Sequence, residues 1–423
     1  MKNNIARKLA QIAYNVLLVG IDPHKKKHAV VIMTREAVVL SKFMIPNSRE
    51  GFELLIKRVK AAIDKAQAEG AAFGIEAGGH SWRNLAYYLD DQGWFFRTIH
   101  PLTAKRHREG DDINRHKTDY RDATMAAELL RTGKFTEPIL PQGSYAELRT
   151  LHASYQRLKD DRSAIINLVR ALLDNLFPEF CQVFKDPFGK NARLVLSVLP
   201  RPQDIVGLTA QEFIARMRSA CPGSRIAVKM LKELHEVAGS SITVKEGSGG
   251  AAQEIQMRIQ QWHLLTAQIE DLERQLHQMV REFPETPYLL SLGLTEIMAA
   301  GLIANIGPLD NYGNYKALIK LAGTNPTRSE SGGKRGERTP MSKQGRSDLR
   351  RCLWVAAMRL LRVNPEFNAW AKRLKNRPAH ANPLHHREAL GAAMNKLLRL
   401  YFALVSKRQM YSPAGAAEAK AAA

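Results

Sequence analysis

Two stretches of this chain repeat an apolar residue every seven positions, and such stretches have to build long helices. In the first, Leu148, Tyr155, Val169 and Leu176 share one heptad position, and Leu151, Leu158, Ile165 and Leu172 share the other. In the second, Ile255, Trp262, Ile269, Leu276 and Phe283 keep the spacing, with Leu265, Leu272 and Met279 between them. Residues three and four apart lie on one helical face, so coiled-coil seams are expected, paired with each other or across a subunit interface. Between them lies a mixed segment, 179–250, ending in the Gly/Ser-rich Glu246–Gly250, which predicts a flexible loop.

The region before the heptads reads differently. Val16–Ile21, His28–Thr34 and Val38–Phe43 are short apolar runs joined by polar turns, the pattern of a strand meander. Ser48 is placed to cap a helix from Arg49 to about Glu69, with Phe52, Leu55, Ile56, Val59 and Ile63 on one face and Gly70 as its end. A strand over Ala72–Glu76, a helix carrying Leu85, Tyr88 and Leu89, and a strand over Phe95–Ile99 follow. After a basic, polar stretch, Asp119 opens a helix through Leu130. Strands first, then alternating helices and strands, predict a mixed α/β sheet. After the heptads, residues 287–323 read helix, glycine-containing turn, helix. This is either a helix-hairpin-helix whose amides hold a phosphate or an ordinary αα-hairpin. Residues 324–347 are polar and basic, helices resume at Asp348–Leu361, Pro365–Leu374 and Glu388–Ser406, and the Ala-rich tail 413–423 is expected to be disordered. The domain expectation is 1–143, 144–286 with 179–250 inserted, and 287–412.

A formal net charge of +22 over 423 residues points to a polyanionic partner, most simply nucleic acid. Three cysteines, Cys181, Cys221 and Cys352, are widely separated and odd in number, which suits a reduced, cytosolic protein. No apolar run approaches the roughly 20 residues of a membrane span, and the short apolar stretch after Lys2, Arg7 and Lys8 lacks a signal-peptide cleavage pattern.

Four carboxylates carry the chemistry. Asp22 and Glu76 end apolar strands, where a charge is costly unless something meets it. Asp119 and Asp122, three apart on one helix, share a face. Clustered carboxylates repel unless divalent cations neutralise them, and hard oxygen donors without a cysteine or histidine cluster favour Mg²⁺ or Mn²⁺. Two such ions a few ångströms apart would clamp a scissile phosphate. The second candidate is Arg328-Ser-Glu-Ser331-Gly-Gly-Lys-Arg-Gly-Glu-Arg338. Its glycines admit a phosphate to the backbone, Lys334, Arg335 and Arg338 would offset its charge, and a serine hydroxyl is a potential nucleophile. Taken alone the motif fits a flexible, phosphate-contacting loop better than a catalytic one.

Gly20-Ile-Asp22-Pro-His-Lys, Gly74-Ile-Glu76-Ala-Gly-Gly-His-Ser-Trp and Lys117-Thr-Asp119-Tyr-Arg-Asp122-Ala resemble the DEDD motifs of the IS-110 family of insertion-sequence transposases, which includes bridge-RNA-guided recombinases and Piv-type DNA invertases. Gly323-Thr-Asn-Pro, Ser331-Gly-Gly-Lys, Met341-Ser-Lys-Gln-Gly345, Leu349-Arg-Arg, Asn395-Lys-Leu-Leu-Arg and Met410-Tyr-Ser-Pro resemble its C-terminal transposase domain and ending. The resemblance spans about 16–412. It implies a RuvC-like, RNase H-like N-terminal domain joined by a coiled coil to a helical, serine-bearing domain. It implies that Asp22, Glu76, Asp119 and Asp122 bind Mg²⁺ and that a serine forms a covalent phosphoserine with DNA. That serine is placed at Ser331, with Ser329 its rival; Lys334, Arg335, Arg338, Lys343 and Arg346 are the expected nucleic-acid contacts. It further implies donor and target DNA as substrates, a structured bridge RNA as guide, and homodimers assembling into homotetramers in which metal site and serine come from different subunits. The setting it implies is a bacterial cytoplasm, on the nucleoid. Two other readings compete: a metal-dependent, junction-resolvase-like nuclease that needs no serine, and a non-catalytic nucleic-acid-binding protein.

Overall fold

The computed structural model describes residues 2–111, 118–220, 222–223, 225–327, 330–331, 334–335, 339–378 and 383–413. The chain divides into two compact units, Met1–Leu140 and Pro141–Ala423. The first contains α1 (Lys2–Leu9), β1 (Val16–Pro23), β2 (Lys27–Met33), β3 (Val39–Pro46), α2 (Arg49–Ala66), β4 (Gly70–Glu76), α3 (Arg83–Asp91), β5 (Phe96–Ile99), α4 (Pro101–Asp111) and α5 (Asp119–Arg131). Its strands form one sheet in the order β3-β2-β1-β4-β5. The β1–β2 and β2–β3 pairs are antiparallel, joined by short turns. The β1–β4 and β4–β5 pairs are parallel, and parallel neighbours need a crossover, which α2 and α3 provide.

The central strand β1 is apolar up to Asp22 because both of its faces are covered. Leu17, Val19 and Ile21 pack with Phe52, Leu55 and Val59 of α2 and Leu85 and Leu89 of α3. The alternate residue Leu18 packs with Ala126, Leu129 and Leu130 of α5. Ser48 caps α2 as its sequence suggests, accepting from the Gly51 amide at 3.3 Å. Gly70 does not end that helix. Gln67 does, in the left-handed region at φ 52°, and Gly70 already belongs to β4, opposite Val16. The basic stretch after β5 is itself helical: α4 is amphipathic only weakly, but Ala104 is fully buried in the α5 layer.

The second unit is helical. The long α6 (Gly143–Leu176) and α12 (Ser248–Val280) flank α7 (Phe180–Val183), α8 (Lys190–Val198), α9 (Pro202–Val206), α10 (Ala210–Ala220) and α11 (Val228–Gly239). Then come α13 (Thr286–Ser291), α14 (Glu296–Ile306), a 3₁₀ turn at Leu309–Asn311, α15 (Tyr315–Ala322), β6 (Glu330–Ser331), β7 (Lys334–Arg335), α16 (Ser347–Val363), α17 (Pro365–Lys375) and α18 (His386–Lys407). The two heptad helices pack along each other. Their buried stripe differs from the expected seam. Leu148, Tyr155, Val169 and Leu176 are buried, but their companions are His152 and Leu173, four residues on, while Leu151, Leu158, Ile165 and Leu172 are only half-buried. On α12 the stripe is Ile255 with Ile259 and Leu276 with Val280, again a step of four. The faces are turned because neither helix packs on its partner alone. One end joins the core of α7–α11, which holds Phe180, Phe213 and Leu234, and the other meets α14.

The predicted loop at Glu246–Gly250 is instead a helix start. Gly247 adopts φ 73° and Ser248–Gly250 form the first turn of α12, held by burial of Ala252, Ile255 and Ile259 a turn later. At the turn after α13, the Leu292 and Gly293 amides bond to Leu289 and Leu290 carbonyls, and the Gly293 carbonyl accepts from Arg359 Nε at 2.7 Å. The tail expectation for 413–423 lies outside the described residues from 414 onward.

Candidate active site

Side chains alternate along a strand, so Asp22 shares the face of Leu18 and Gly20 on β1, and Glu76 shares that of Ala72 and Gly74 on β4. The parallel register pairs Gly20 with Gly74 and Ile21 with Ile75, which sets Asp22 beside Glu76. Over that face lies α5. It approaches so closely that a Cβ on Gly20 would stand 1.9 Å from the Ala123 carbonyl oxygen, and one on Gly74 2.8 Å from that of Ala126. Glycine two residues before each strand-end acid, with Ala123, Ala126 and Ala127 opposite, is therefore what seats the helix. Thr118 caps α5, accepting from the Arg121 amide at 3.3 Å. Asp119 and Asp122 fall in its first turn, where the helix dipole favours negative charge. Asp22 and Asp122 are buried, at 7% and 2% exposure.

Two basic side chains meet these acids. His24 lies with Nδ1 3.7 Å from Asp22 Oδ1 and Nε2 3.2 Å from Asp119 Oδ1. Arg108, on α4, has Nη1 2.8 Å from Asp122 Oδ1 and 3.8 Å from Glu76 Oε2. Burial lowers the basicity of His24, but Asp22, the Pro23 backbone and Asp119 outweigh it and leave the ring more basic than usual. Burial also opposes the charge on Arg108, and Asp122, Glu76 and Asp22 more than restore it. The β1–β2 turn that presents His24 is pinned: its amide reaches the Lys27 carbonyl at 3.2 Å and His28 Nδ1 at 3.1 Å, and Asn47 holds the Lys25 and Lys26 carbonyls. His28 is fully buried and stacks on Phe52, and burial holds its imidazole below the usual range. Asp22, His24 and Asp119 each offer one donor atom within 4.8 Å of the other two. That mixed oxygen and nitrogen set suits a divalent cation.

His24, His28 and Arg108 are not evident from sequence. His24 lies within the Gly20-Ile-Asp22-Pro-His-Lys motif, two residues after the strand-end acid, and that position is its only signal. Arg108 carries no signal, being one cation in a polar stretch.

The serine segment belongs to the second unit. Its base is two chain segments held side by side: Pro326 forms an isolated antiparallel bridge with Met341, the Thr327 amide reaches the Pro340 carbonyl at 2.8 Å, and the Ser342 amide reaches the Asn325 carbonyl at 2.9 Å. Gly323 and Gly345 cross there with a clearance no side chain fits, since a Cβ on Gly345 would stand 2.3 Å from the Gly323 amide. Asn395 of α18 anchors the base through the Thr324 carbonyl at 3.1 Å. The motifs around these glycines are thus the footing of a hairpin. At its described end, β6 and β7 pair Ser331 with Lys334 and Glu330 with Arg335. The side chains of Ser331, Lys334 and Arg335 lie outside the described residues, as do Ser329 and Arg338 altogether. Lys343 is exposed with φ 54°. Arg346 turns inward, giving Nη1 to the Asn305 carbonyl at the end of α14 at 2.5 Å.

Among the described residues no helix is long and apolar enough to cross a membrane. Comparison with known proteins finds matches over two regions of the chain. A transposase family model of the DEDD IS110 type matches residues 19–178, and the model "Transposase IS116/IS110/IS902 family" matches residues 291–372. A mini-circle protein named as a transposase for IS117, from Streptomyces coelicolor, is 25% identical over 382 residues, covering 87% of this chain and 90% of the relative. An uncharacterized 44.8 kDa protein of the insertion element IS116, from Streptomyces clavuligerus, is 22% identical over 406 residues, covering 94% and 96%. With both halves of its sequence signature matched and in order, this chain belongs to the IS110 family of insertion-sequence transposases.

Proposed function

We propose that this protein is a DNA recombinase that mobilises an insertion sequence by cutting and rejoining strands through a phosphoserine at Ser331, assisted by Mg²⁺ or Mn²⁺. The observation that carries the reading is the seating of α5 on Gly20 and Gly74, which turns acids from three elements toward one place. An RNase H-like, RuvC-like first unit agrees with its mixed sheet order and with the family match. Asp22, Glu76, Asp119 and Asp122 would hold the ion, which supplies charge stabilisation at the scissile phosphate. The glycine-seated helix keeps the carboxylates in place, and the pinned β1–β2 turn fixes the mouth of the site. Ser331 Oγ would attack the phosphorus as the ester bond to the leaving sugar oxygen breaks; the hydroxyl proton is given up and the leaving oxygen gains one. The phosphodiester energy is kept in the protein–DNA ester, which strand exchange requires and hydrolysis does not.

The net charge of +22 supports a further part of the reading, that a structured bridge RNA pairs with donor and target DNA on the protein. Lys334, Arg335, Arg338, Lys343 and Arg346 are proposed contacts, and a homodimer assembling to a homotetramer the working form. A plasmid carrying the element's two ends, with the element's own RNA, tests the proposal. Wild type should yield recombined product only with divalent metal, and Asp22→Asn or Asp119→Asn should yield neither nicks nor product while keeping its circular dichroism. Metal-dependent nicking without any rejoined product would favour the nuclease instead, and full activity in both variants would remove the carboxylates from the chemistry.

A further inference from the structure

The footing of the serine hairpin lies against α18, and between them is a cavity of about 530 Å³. Pro326, Pro340 and Met341 line it from the footing, and Leu384, Gly391 and Ala392 from α18 and the chain before it. A Cβ on Gly391 would stand 3.3 Å from the Met341 methyl, so glycine there keeps the space open. Asn395 also lines the cavity. Its Nδ2 donates to the Thr324 carbonyl at 3.1 Å, which fixes the orientation of the amide and makes the other atom the oxygen. That Oδ1 is buried and has no hydrogen-bond partner among the described residues. A buried acceptor left unmet is costly, so the site asks for an N–H donor. Apolar walls with a few placed polar groups, in a space of about 300–1,000 Å³, are the form of a small-ligand site.

Resting on the recombinase reading above, we propose that this cavity takes one extruded DNA base bearing an exocyclic amino group, beside the strand that Ser331 attacks. Pro326 is five residues from Ser331, a reach of at most about 17 Å along extended chain. At about 3.4 Å per nucleotide, that places the base within about five nucleotides of the attacked phosphate. Strand exchange unpairs bases there, which lowers the cost of extrusion. The flat faces of the base meet Pro326, Met341 and Leu384, and its amino group donates to Asn395 Oδ1. Thymine fits worse, because its one N–H lies between two carbonyl oxygens that Oδ1 repels. Arg387, exposed and also lining the cavity, suits the phosphate that follows the base. Glu388, its neighbour, accepts from the His385 amide at 2.8 Å as part of the α18 cap.

The test is photocrosslinking of full-length protein, with its metal and the element's RNA, to nicked substrates carrying 5-iodo-deoxycytidine at successive positions. At one position within about five nucleotides of the nick, wild type should crosslink to a peptide containing Met341 or Leu384, identified by mass spectrometry. 5-Iodo-deoxyuridine at that position differs in lacking the amino group and should crosslink there at least threefold less. Ala392→Met, which fills the space, should lose that crosslink and recombine at least tenfold more slowly with unchanged circular dichroism. Asn395→Leu, which removes the acceptor, should lose the preference for cytosine over uracil and decides the point if Ala392→Met fails to fold. Crosslinks that all map elsewhere, or equal yields from the two bases in wild type, overturn the proposal. If a covalent protein–DNA band forms all the same, the recombinase reading stands without this pocket; if no such band forms with any substrate, that reading fails as well.

Discussion

The close seat of α5 on the sheet gives a graded prediction. At Gly20 an added Cβ would lie 1.9 Å from the Ala123 oxygen and 2.6 Å from the Ala127 amide nitrogen, both backbone atoms that cannot rotate away. Helix and strand would have to part by about an ångström. At Gly74 the nearest backbone atom is 2.8 Å away, and at Gly70, in the same strand, the nearest atom is a Val16 methyl at 4.0 Å. Overpacking of a tight core costs about 1–3 kcal/mol and more where backbone must move. Gly20→Ala should therefore cost about 3 kcal/mol or more, Gly74→Ala about 1–2 kcal/mol, and Gly70→Ala nothing, since alanine also restricts the unfolded chain. Because the chain has two units, hydrogen exchange of peptides within 16–33 is a cleaner readout than a global melt. Protection there should fall by about a hundredfold for Gly20→Ala, and metal binding should weaken with it as Asp119 and Asp122 move from Asp22. Equal protection in all three variants would refute the claim that glycine seats the helix.

In the second unit, burial pushes His152 down to about 4. The unfolded chain takes up that proton near 6.5 and the folded one only near 4, so stability is full above about 6.5 and falls by about 3 kcal/mol as the pH drops through that window; urea melts at pH 7.5 and 5 should show about 2 kcal/mol of it, and His152→Asn should flatten it. On the turned seam, Leu173→Ala should cost about 2–5 kcal/mol in helix melting and Leu172→Ala about 1 kcal/mol, the reverse order restoring the heptad expectation. Binding to duplex DNA should weaken at least tenfold between about 50 and 200 mM salt, and a salt-independent affinity would leave the net charge of +22 unexplained.

Much of the first unit is legible because its strands are short apolar runs bounded by polar turns, and because glycine, a residue, then an acid occurs twice at strand ends. The order of the sheet, with β4 beside β1, is not legible, since a crossover could also have placed β4 elsewhere. The arginine of the centre is not legible. Arg108 acts through a helix whose sequence is nearly all polar and in which, among the described residues, the fully buried side chain is a small one, Ala104. The heptads announce two helices, but which face is buried depends on third parties. The α7–α11 helices and α14 claim His152, Leu173, Ile259 and Val280, and a pattern along one helix does not record its neighbours. Glycines at 247, 249 and 250 read as a loop by composition, yet one left-handed turn and a buried stripe suffice to start a helix there.

The most direct test of the proposed chemistry is to look for the ester itself. Purified protein, with its metal and the element's RNA, is incubated with a substrate nicked near the junction, quenched, and run on a denaturing gel. Wild type should retain labelled DNA in a band that protease removes, and mass spectrometry of the peptide should place the phosphate on Ser331. Ser331→Ala should bind DNA with unchanged affinity but leave no such band. A band that survives in Ser331→Ala and is lost in Ser329→Ala moves the nucleophile to Ser329. Free nicked DNA accumulating with no covalent band in any protein would contradict the account and make this a hydrolytic nuclease.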